Sequence, residues 1–233
     1  MTPPPQYRPE HTWDAIAESF DKTRKKPWKQ CLDFIETLPK NALVADIGCG
    51  NGRHLLPCAQ YCRQIIGIDI SRKFLQITRK KTREKKLSNV EYLQGNLTAL
   101  PLKNDSLDAV LYIAAIHTIQ GREQRIGSLK EVHRILKPQG IVFISVWSRW
   151  QEAYKKYFIK QWFLRKKNDE FGDIIIHWKQ QRLNIPRFYH LYSKREFVKD
   201  VHRAGFHIER IQCVNLCSRN SPDNFFITAR KNA

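Results

Sequence analysis

The sequence predicts an α/β fold, a mostly parallel sheet with helices on both faces. Three observations predict it. Strand-like and helix-like segments alternate from residue 42 to residue 147, a run of alternate glycines follows the first of those strands, and a Lys-Pro-Gln-Gly turn precedes the last. A parallel sheet requires that alternation, because each crossover must return the chain across one face of the sheet.

The elements follow in order. Residues 1–10 are proline-rich and read as loose. Residues 11–38 read as helical, with Trp13, Ile16, Ala17 and Phe20 at helical spacing, a break at Pro27, then Leu32, Ile35 and Leu38. Ala42–Ile47 is a short apolar strand, 52–61 is helix-like, and Ile65–Ile70 is a second strand. Ser71 suits the N-cap of a helix through Leu87, since its hydroxyl can accept from a free backbone N–H of the first turn. Val90–Gln94 and Ser106–Ile113 are strands, the latter apolar enough to be buried on both faces. Gly121–Leu136 is an amphipathic helix with Ile126, Leu129, Val132, His133 and Leu136 on one stripe. Lys137–Gly140 is a turn before the strand Ile141–Trp147. A helix near 193–204 and strands near 206–214 and 223–230 close the chain. The reading is one domain over 1–233, with a helical extension at 1–40 and a basic aromatic insertion at 149–192.

Composition narrows the classes. The 233 residues carry 41 Lys+Arg against 22 Asp+Glu, a formal net charge of +19, and 42% hydrophobic residues supply a core. The longest apolar run, Ala109–Ile116, is far short of the ~18 residues of a membrane span. The first residues lack the apolar core of a secretory signal. Cys58/Cys62 and Cys213/Cys217 are spaced too widely for the usual zinc pairs, so the expectation is no metal and reduced thiols in a cytoplasmic protein, with no membrane partner. The positive charge is clustered at 22–29, 72–86 and 149–195, and the last cluster is interleaved with Trp150, Tyr154, Tyr157, Trp162, Trp178 and Tyr189. Cations displace counterions from phosphates and rings stack on unpaired bases, which favours an RNA partner over duplex DNA.

The sharpest chemical signal is Leu43-Val-Ala-Asp-Ile-Gly-Cys-Gly-Asn-Gly52. Gly48, Gly50 and Gly52 let the backbone turn tightly and approach a ligand at a strand end. The spacing is not that of a dinucleotide fingerprint, and no lysine follows to hold phosphates. Asp46 beside the turn suits a cationic group such as an amino acid's ammonium. Asp69, ending Gly-Ile-Asp-Ile70, can accept two ribose hydroxyls, and Asn96 after the third strand can meet an adenine edge. Together with their neighbours Cys49, Ile70, Leu97 and Ala114 they describe a site for S-adenosylmethionine. Capping of a turn by Asp46 and of a helix by Asp69 are the competing structural explanations.

Three further strings carry a closer resemblance: Lys22-Thr-Arg-Lys-Lys-Pro-Trp28, Ala114-Ala-Ile-His-Thr-Ile-Gln-Gly-Arg-Glu-Gln-Arg125 and Phe188-Tyr-His-Leu-Tyr192. Their order and spacing resemble the wobble-uridine tRNA methyltransferases, which esterify 5-carboxymethyluridine at anticodon position 34. The resemblance covers roughly residues 12–230 and is weakest over 150–186. It implies a class I methyltransferase, Rossmann-like fold with a seven-stranded sheet, S-adenosylmethionine as donor, tRNA as substrate, and a heterodimer with a small zinc-binding activator subunit. The sequence departs from the family where Thr118 stands in place of a second histidine and Asn96 in place of an aspartate.

A carboxylate nucleophile is already ionised at neutral pH, its pKa being about 4, so the reaction needs positioning rather than a strong base. Arg24, Arg122 and Arg125 are candidates to hold it, and His117 to face cofactor and nucleobase. Tyr189 and His190 are candidate pocket residues, and Lys155, Lys156, Arg165, Lys166 and Lys167 candidate RNA contacts. Trp28 and Trp147 read as packing residues. Two other functions fit the cofactor signal: a small-molecule carboxyl or carbon methyltransferase, and a non-catalytic RNA-binding protein that keeps the pocket.

Overall fold

The computed structural model describes residues 8–164 and 170–232. Two helices lead in, α1 (Pro9–Thr23) and α2 (Lys29–Glu36), separated around Pro27 as the sequence predicts. The alternation follows: β1 (Leu43–Ile47), α3 (Leu55–Ala59), β2 (Gln64–Asp69), α4 (Arg72–Glu84), β3 (Val90–Gln94), β4 (Leu107–Ile113), α5 (Arg122–Ile135) and β5 (Leu136–Trp147). Ser71 caps α4, its hydroxyl accepting from Phe74 N at 3.1 Å. The chain closes with α6 (Glu152–Leu164), β6 (Asp173–Trp178), β7 (Ile185–His190), α7 (Lys194–Arg203), β8 (Phe206–Val214) and β9 (Asn224–Lys231).

Seven strands form one sheet in the order β3-β2-β1-β4-β5-β9-β8. Only β9 runs against the rest, pairing antiparallel with both β5 and β8. This is the class I methyltransferase arrangement, so the seven-stranded, mostly parallel expectation holds. The Lys137–Gly140 turn is absorbed into β5. The pairing of β4 with β5 shifts register between Leu107 and Ala109, and Gln139 takes a φ of 65°. The extra residues leave the ladder as a bulge without ending the strand.

Alternation along the strands builds two cores. Ala45, Val110, Tyr112, Val142 and Ile144 face α5 and α7 through Leu129, Val132, Phe197 and Val201. Val44, Leu111, Phe143 and Phe226 face α2 and α3 through Phe34, Ile35, Leu55 and Cys58. A third cluster, including Phe158, Ile174, Tyr189 and Leu191, packs Trp13 and Trp147 beside it. It belongs to the 149–192 segment, whose β6–β7 hairpin is tied to α1 by Trp178 Nε1 donating to Ser19 Oγ at 2.9 Å. The hairpin and α1 thereby cover the carboxyl ends of β1, β4 and β5, where an open α/β sheet binds ligands. No helix among the described residues is long and apolar enough to cross a membrane.

Candidate active site

At the carboxyl end of β1 the chain reverses tightly. Gly48 N and Cys49 N both donate to Ile68 O, at 2.7 and 3.0 Å. Gly48 has φ +71°, and a Cβ there would lie 2.4 Å from Ala115 Cβ, so only glycine fits. Gly50, at φ +53°, has open space where its Cβ would stand, and it lines a cavity of about 500 Å³. That volume is in the range of small-molecule sites.

Two buried carboxylates face this turn. Asp69 accepts from Gly50 N through Oδ2 and from Ser71 N through Oδ1, both at 2.8 Å. Burial pushes its carboxyl up to about 6, against the lowering effect of those hydrogen bonds. Asp46 has no such support: its Oδ2 is buried without a partner. Burial first, and then the charge of Asp69, push it up to about 7, with Arg53 acting the other way. An orphaned buried acceptor is costly unless a ligand supplies the donor. The pair with the open Gly50 cradle fits the ammonium and ribose of S-adenosylmethionine. Asp14 on α1 locks the rim, accepting from Ser71 Oγ at 2.6 Å and Lys73 N at 3.0 Å.

The other end of the cavity is aromatic. Trp147 and Tyr189 stack with ring centroids 4.9 Å apart at 11°. The His117 ring stands 5.2 and 5.4 Å from those two rings. His117 follows β4 in a short 3-10 turn, and its Nδ1 accepts from Trp147 N at 3.1 Å. That bond assigns the remaining proton to Nε2. Burial, and then the charges of His190 and Arg187, hold its pKa down at about 3, so it is an uncharged donor at neutral pH. Arg187 lies here too, 6% exposed, with Nη1 donating to Tyr189 Oη at 2.5 Å and Nε buried without a partner.

Of the residues singled out from sequence, Asp46, Gly48, Cys49, Gly50, Asp69, Ile70, Leu97, Ala114, Arg24, His117 and Tyr189 line this one cavity. Trp28 and Trp147 line it as well, beyond the packing role expected of them. Others are placed elsewhere. Gly52 packs against the Thr78 side chain, and a Cβ there would lie 2.6 Å from Thr78 Cγ2. Asn96 is exposed and caps its own turn, accepting from Thr98 N and Oγ1 at 3.0 Å. Arg122 is paired with the buried Asp200 at 2.6 Å. Arg125 is fully buried between Tyr192, the Ile119 carbonyl and Glu170. His190 holds Asp173 at 2.7 Å and Glu196 at 2.8 Å. These three are scaffold contacts away from the cavity, because each side chain is consumed by partners that the fold brings from distant sequence. Lys155 and Lys156 are exposed on α6, also outside the cavity. Arg165, Lys166 and Lys167 lie outside the described residues.

Sequence reasoning missed Arg53, His54 and Arg187 in the lining, whereas Tyr154 and Trp178, two of the rings of the basic segment, do line it. Arg187 immediately precedes the Phe-Tyr-His-Leu-Tyr string, so extending that string by one residue would have found it. His54 offered no signal: its two ring nitrogens are buried without partners, and burial with the nearby Arg53 holds its pKa well below the ordinary value.

Known proteins resemble the chain in sequence and in fold. A family described as a methyltransferase domain matches residues 45–144. The chain is 38% identical over 144 residues to the tRNA (carboxymethyluridine(34)-5-O)-methyltransferase of Xenopus tropicalis, covering 62% of this chain and 21% of that protein. It is 34% identical over 142 residues to the enzyme of that name in Arabidopsis thaliana, covering 60% and 32%. Over the matched segments the chain is similar to the wobble-uridine tRNA methyltransferases. It spans about a fifth to a third of the length of these relatives. Among solved structures, an S-adenosylmethionine-dependent methyltransferase from Methanosarcina mazei superposes with a TM-score of 0.75 at 21% identity, covering 89% of this chain and 99% of that one. A Haloferax volcanii methyltransferase solved in complex with the Trm112 activator gives 0.68 at 16% identity, covering 96% of each. The methyltransferase-domain match and the fold imply S-adenosylmethionine as the cofactor.

Proposed function

We propose that this protein methyl-esterifies the carboxymethyl group of the wobble uridine of tRNA, using S-adenosylmethionine. The observation that carries the reading is the two-ended cavity: an acidic glycine cradle opens directly onto a stacked Trp147–Tyr189 wall with the His117 donor beside it. Relatives at 34–38% identity are named for that reaction.

Asp46, Gly48, Gly50 and Asp69 would hold the cofactor's amino acid and ribose, and Ile70 and Leu97 offer apolar lining beside them. When bound, S-adenosylmethionine supplies a methyl group on a sulfonium, which a carboxylate oxygen of the acceptor takes up as the carbon–sulfur bond breaks. The chain's own part is positional. Trp147 and Tyr189 orient the base by stacking. His117 donates from Nε2 without bringing a charge, and no proton need be abstracted from an acceptor already ionised. Trp13, Phe20, Phe74 and Trp178 exclude water from the reacting end.

The exposed lysines 155 and 156 on α6 supply phosphate contacts for the anticodon arm, beside the exposed rings of Trp162 and Phe163. As further parts of this proposal, a small zinc-binding activator subunit pairs with the chain, the protein acts in the cytoplasm, and 1–40 and 149–192 serve as a rim and a substrate-recognition insertion of one domain. The test is methyl transfer from labelled S-adenosylmethionine to tRNA carrying the free carboxymethyl group, with and without the activator, followed by nucleoside identification. Ester label on the wobble uridine is expected. Label on another nucleoside, or on a small metabolite alone, would replace this reading.

A further inference from the structure

Arg187 is a buried cation that the protein itself does not neutralise. It sits on β7 with 6% exposure and lines the cavity. Its guanidinium carbon lies 4.9 Å from the centroid of Trp178, 5.1 Å from that of Tyr189 and 5.9 Å from that of Trp13. Nη1 is engaged with the Tyr189 hydroxyl, and Nε has no partner. Among the described residues no carboxylate pairs with it. Arg125 and Arg149, comparably buried, are each matched by one, Glu170 and Glu196. Ring faces recover part of the cost of burying a cation, but they leave a guanidinium's hydrogen-bonding edge unmet. An uncompensated buried charge in a cavity is the signature of a group held ready for a ligand of opposite sign.

We infer that Arg187 is the specificity-determining residue that receives the acceptor's carboxylate and selects it over neutral side groups. The inference rests on the reading of the cavity as a carboxyl-methylation site and names the group that recognises the acid. A guanidinium edge matches a carboxylate in shape and charge. The anion would enter beside the Trp147–Tyr189 wall, with the uncharged His117 as a second donor. The ester has lost the negative charge, so the same residue favours release of product over substrate.

The experiment compares two anticodon stem-loop RNAs that differ only at the wobble uridine, one carrying the carboxymethyl group and one its uncharged carbamoylmethyl analogue. Binding to the full chain is read by fluorescence anisotropy, without turnover. The wild-type protein is expected to prefer the acid by about tenfold to a hundredfold, the value of a charge-assisted pair. Arg187→Gln brings that ratio near one, while S-adenosylmethionine binding at the Asp46 end reports that the protein is folded. Arg187→Lys keeps the charge without the planar fork and is expected to fall between. If Arg187→Gln does not fold, Arg187→Lys carries the test, and an undiminished ratio there overturns the inference. So does a ratio near one in the wild type, an unchanged ratio in Arg187→Gln, or loss of the ratio in Arg24→Gln alone. Ester formation by the wild type in the labelling assay is independent of all these, so the wider reading can stand while this inference fails.

Discussion

Two buried polar regions lie within this molecule, and they are built on opposite principles. In the network behind the hairpin, Arg125 meets Glu170, Arg149 meets Glu196, and His190 bridges Asp173 and Glu196. Burial alone would raise Glu196, yet the hydrogen bond and charge of His190, with Arg149, bring it down to about 2. In the cavity, Asp46, His54, Arg187 and Asn224 each keep a buried polar atom without a partner. Glu170, Asp173 and His190 lie close enough to suggest a metal site, but the neighbouring arginine and Glu196 already satisfy that cluster. The lesson is that density of charged side chains does not mark the site. Satisfied charge holds the scaffold together, and unsatisfied charge waits for a ligand.

The comparison breaks most visibly at Arg125. Replacing it with methionine leaves Glu170 and Tyr192 without their cation, and should cost about 3 kcal/mol of stability, seen as a lower urea midpoint. A midpoint that did not move would show the network to be dispensable.

Asp46→Asn should do the reverse. It removes an unsupported buried carboxylate, so the urea midpoint at pH 8 should hold or rise. Affinity for S-adenosylmethionine should fall about tenfold to a hundredfold by calorimetry. Joint loss of stability and binding would place Asp46 with the scaffold.

A pH series sharpens the same point. The Asp46 carboxyl is raised from an ordinary 3.8 to about 7, so the free protein favours its protonated form. The stability that this form contributes is full below about pH 3.8 and is lost as pH rises through about 7. A bound ammonium favours the ionised form. Affinity for S-adenosylmethionine should therefore weaken by about tenfold between pH 8 and pH 6, with proton release on binding at the lower pH. In Asp46→Asn the dependence should shrink to the smaller part that Asp69, with its carboxyl at about 6, leaves in that interval.

The smallest effect belongs to the outer surface. Lys155→Ala and Lys156→Ala should each weaken tRNA binding about twofold and lower the salt dependence by roughly one charge, without altering the acid-over-amide preference. A change in that preference would extend the recognition surface from Arg187 out to α6.

Much of the cofactor half was legible along the chain. Asp46, the glycine turn and Asp69 sit at strand ends that alternation locates, and conformations such as the φ of Gly48 are demanded locally. The strand at 90–94 and the Ser71 cap were equally readable, because short-range periodicity and a single hydroxyl decide them. Asn96 was misplaced because its carboxamide found Thr98 two residues away, a local bond that competed with the ligand role. The Lys137–Gly140 string spells a turn in sequence, where the pairing of Leu136 with Leu107 that carries β5 through it is invisible.

The sequence by itself therefore determined the sheet and the glycine cradle, since these depend on residue order, periodicity and a few local backbone constraints. Tertiary structure alone decided which arginine is left over. Arg122, Arg125 and Arg187 look alike as letters. Arg122 finds Asp200 78 residues away and Arg125 finds Glu170 45 residues away, while Arg187 is enclosed by rings that pair with it only in part. A charge becomes available to a substrate through what the fold fails to place beside it, and that is a property of distances between remote segments rather than of any segment.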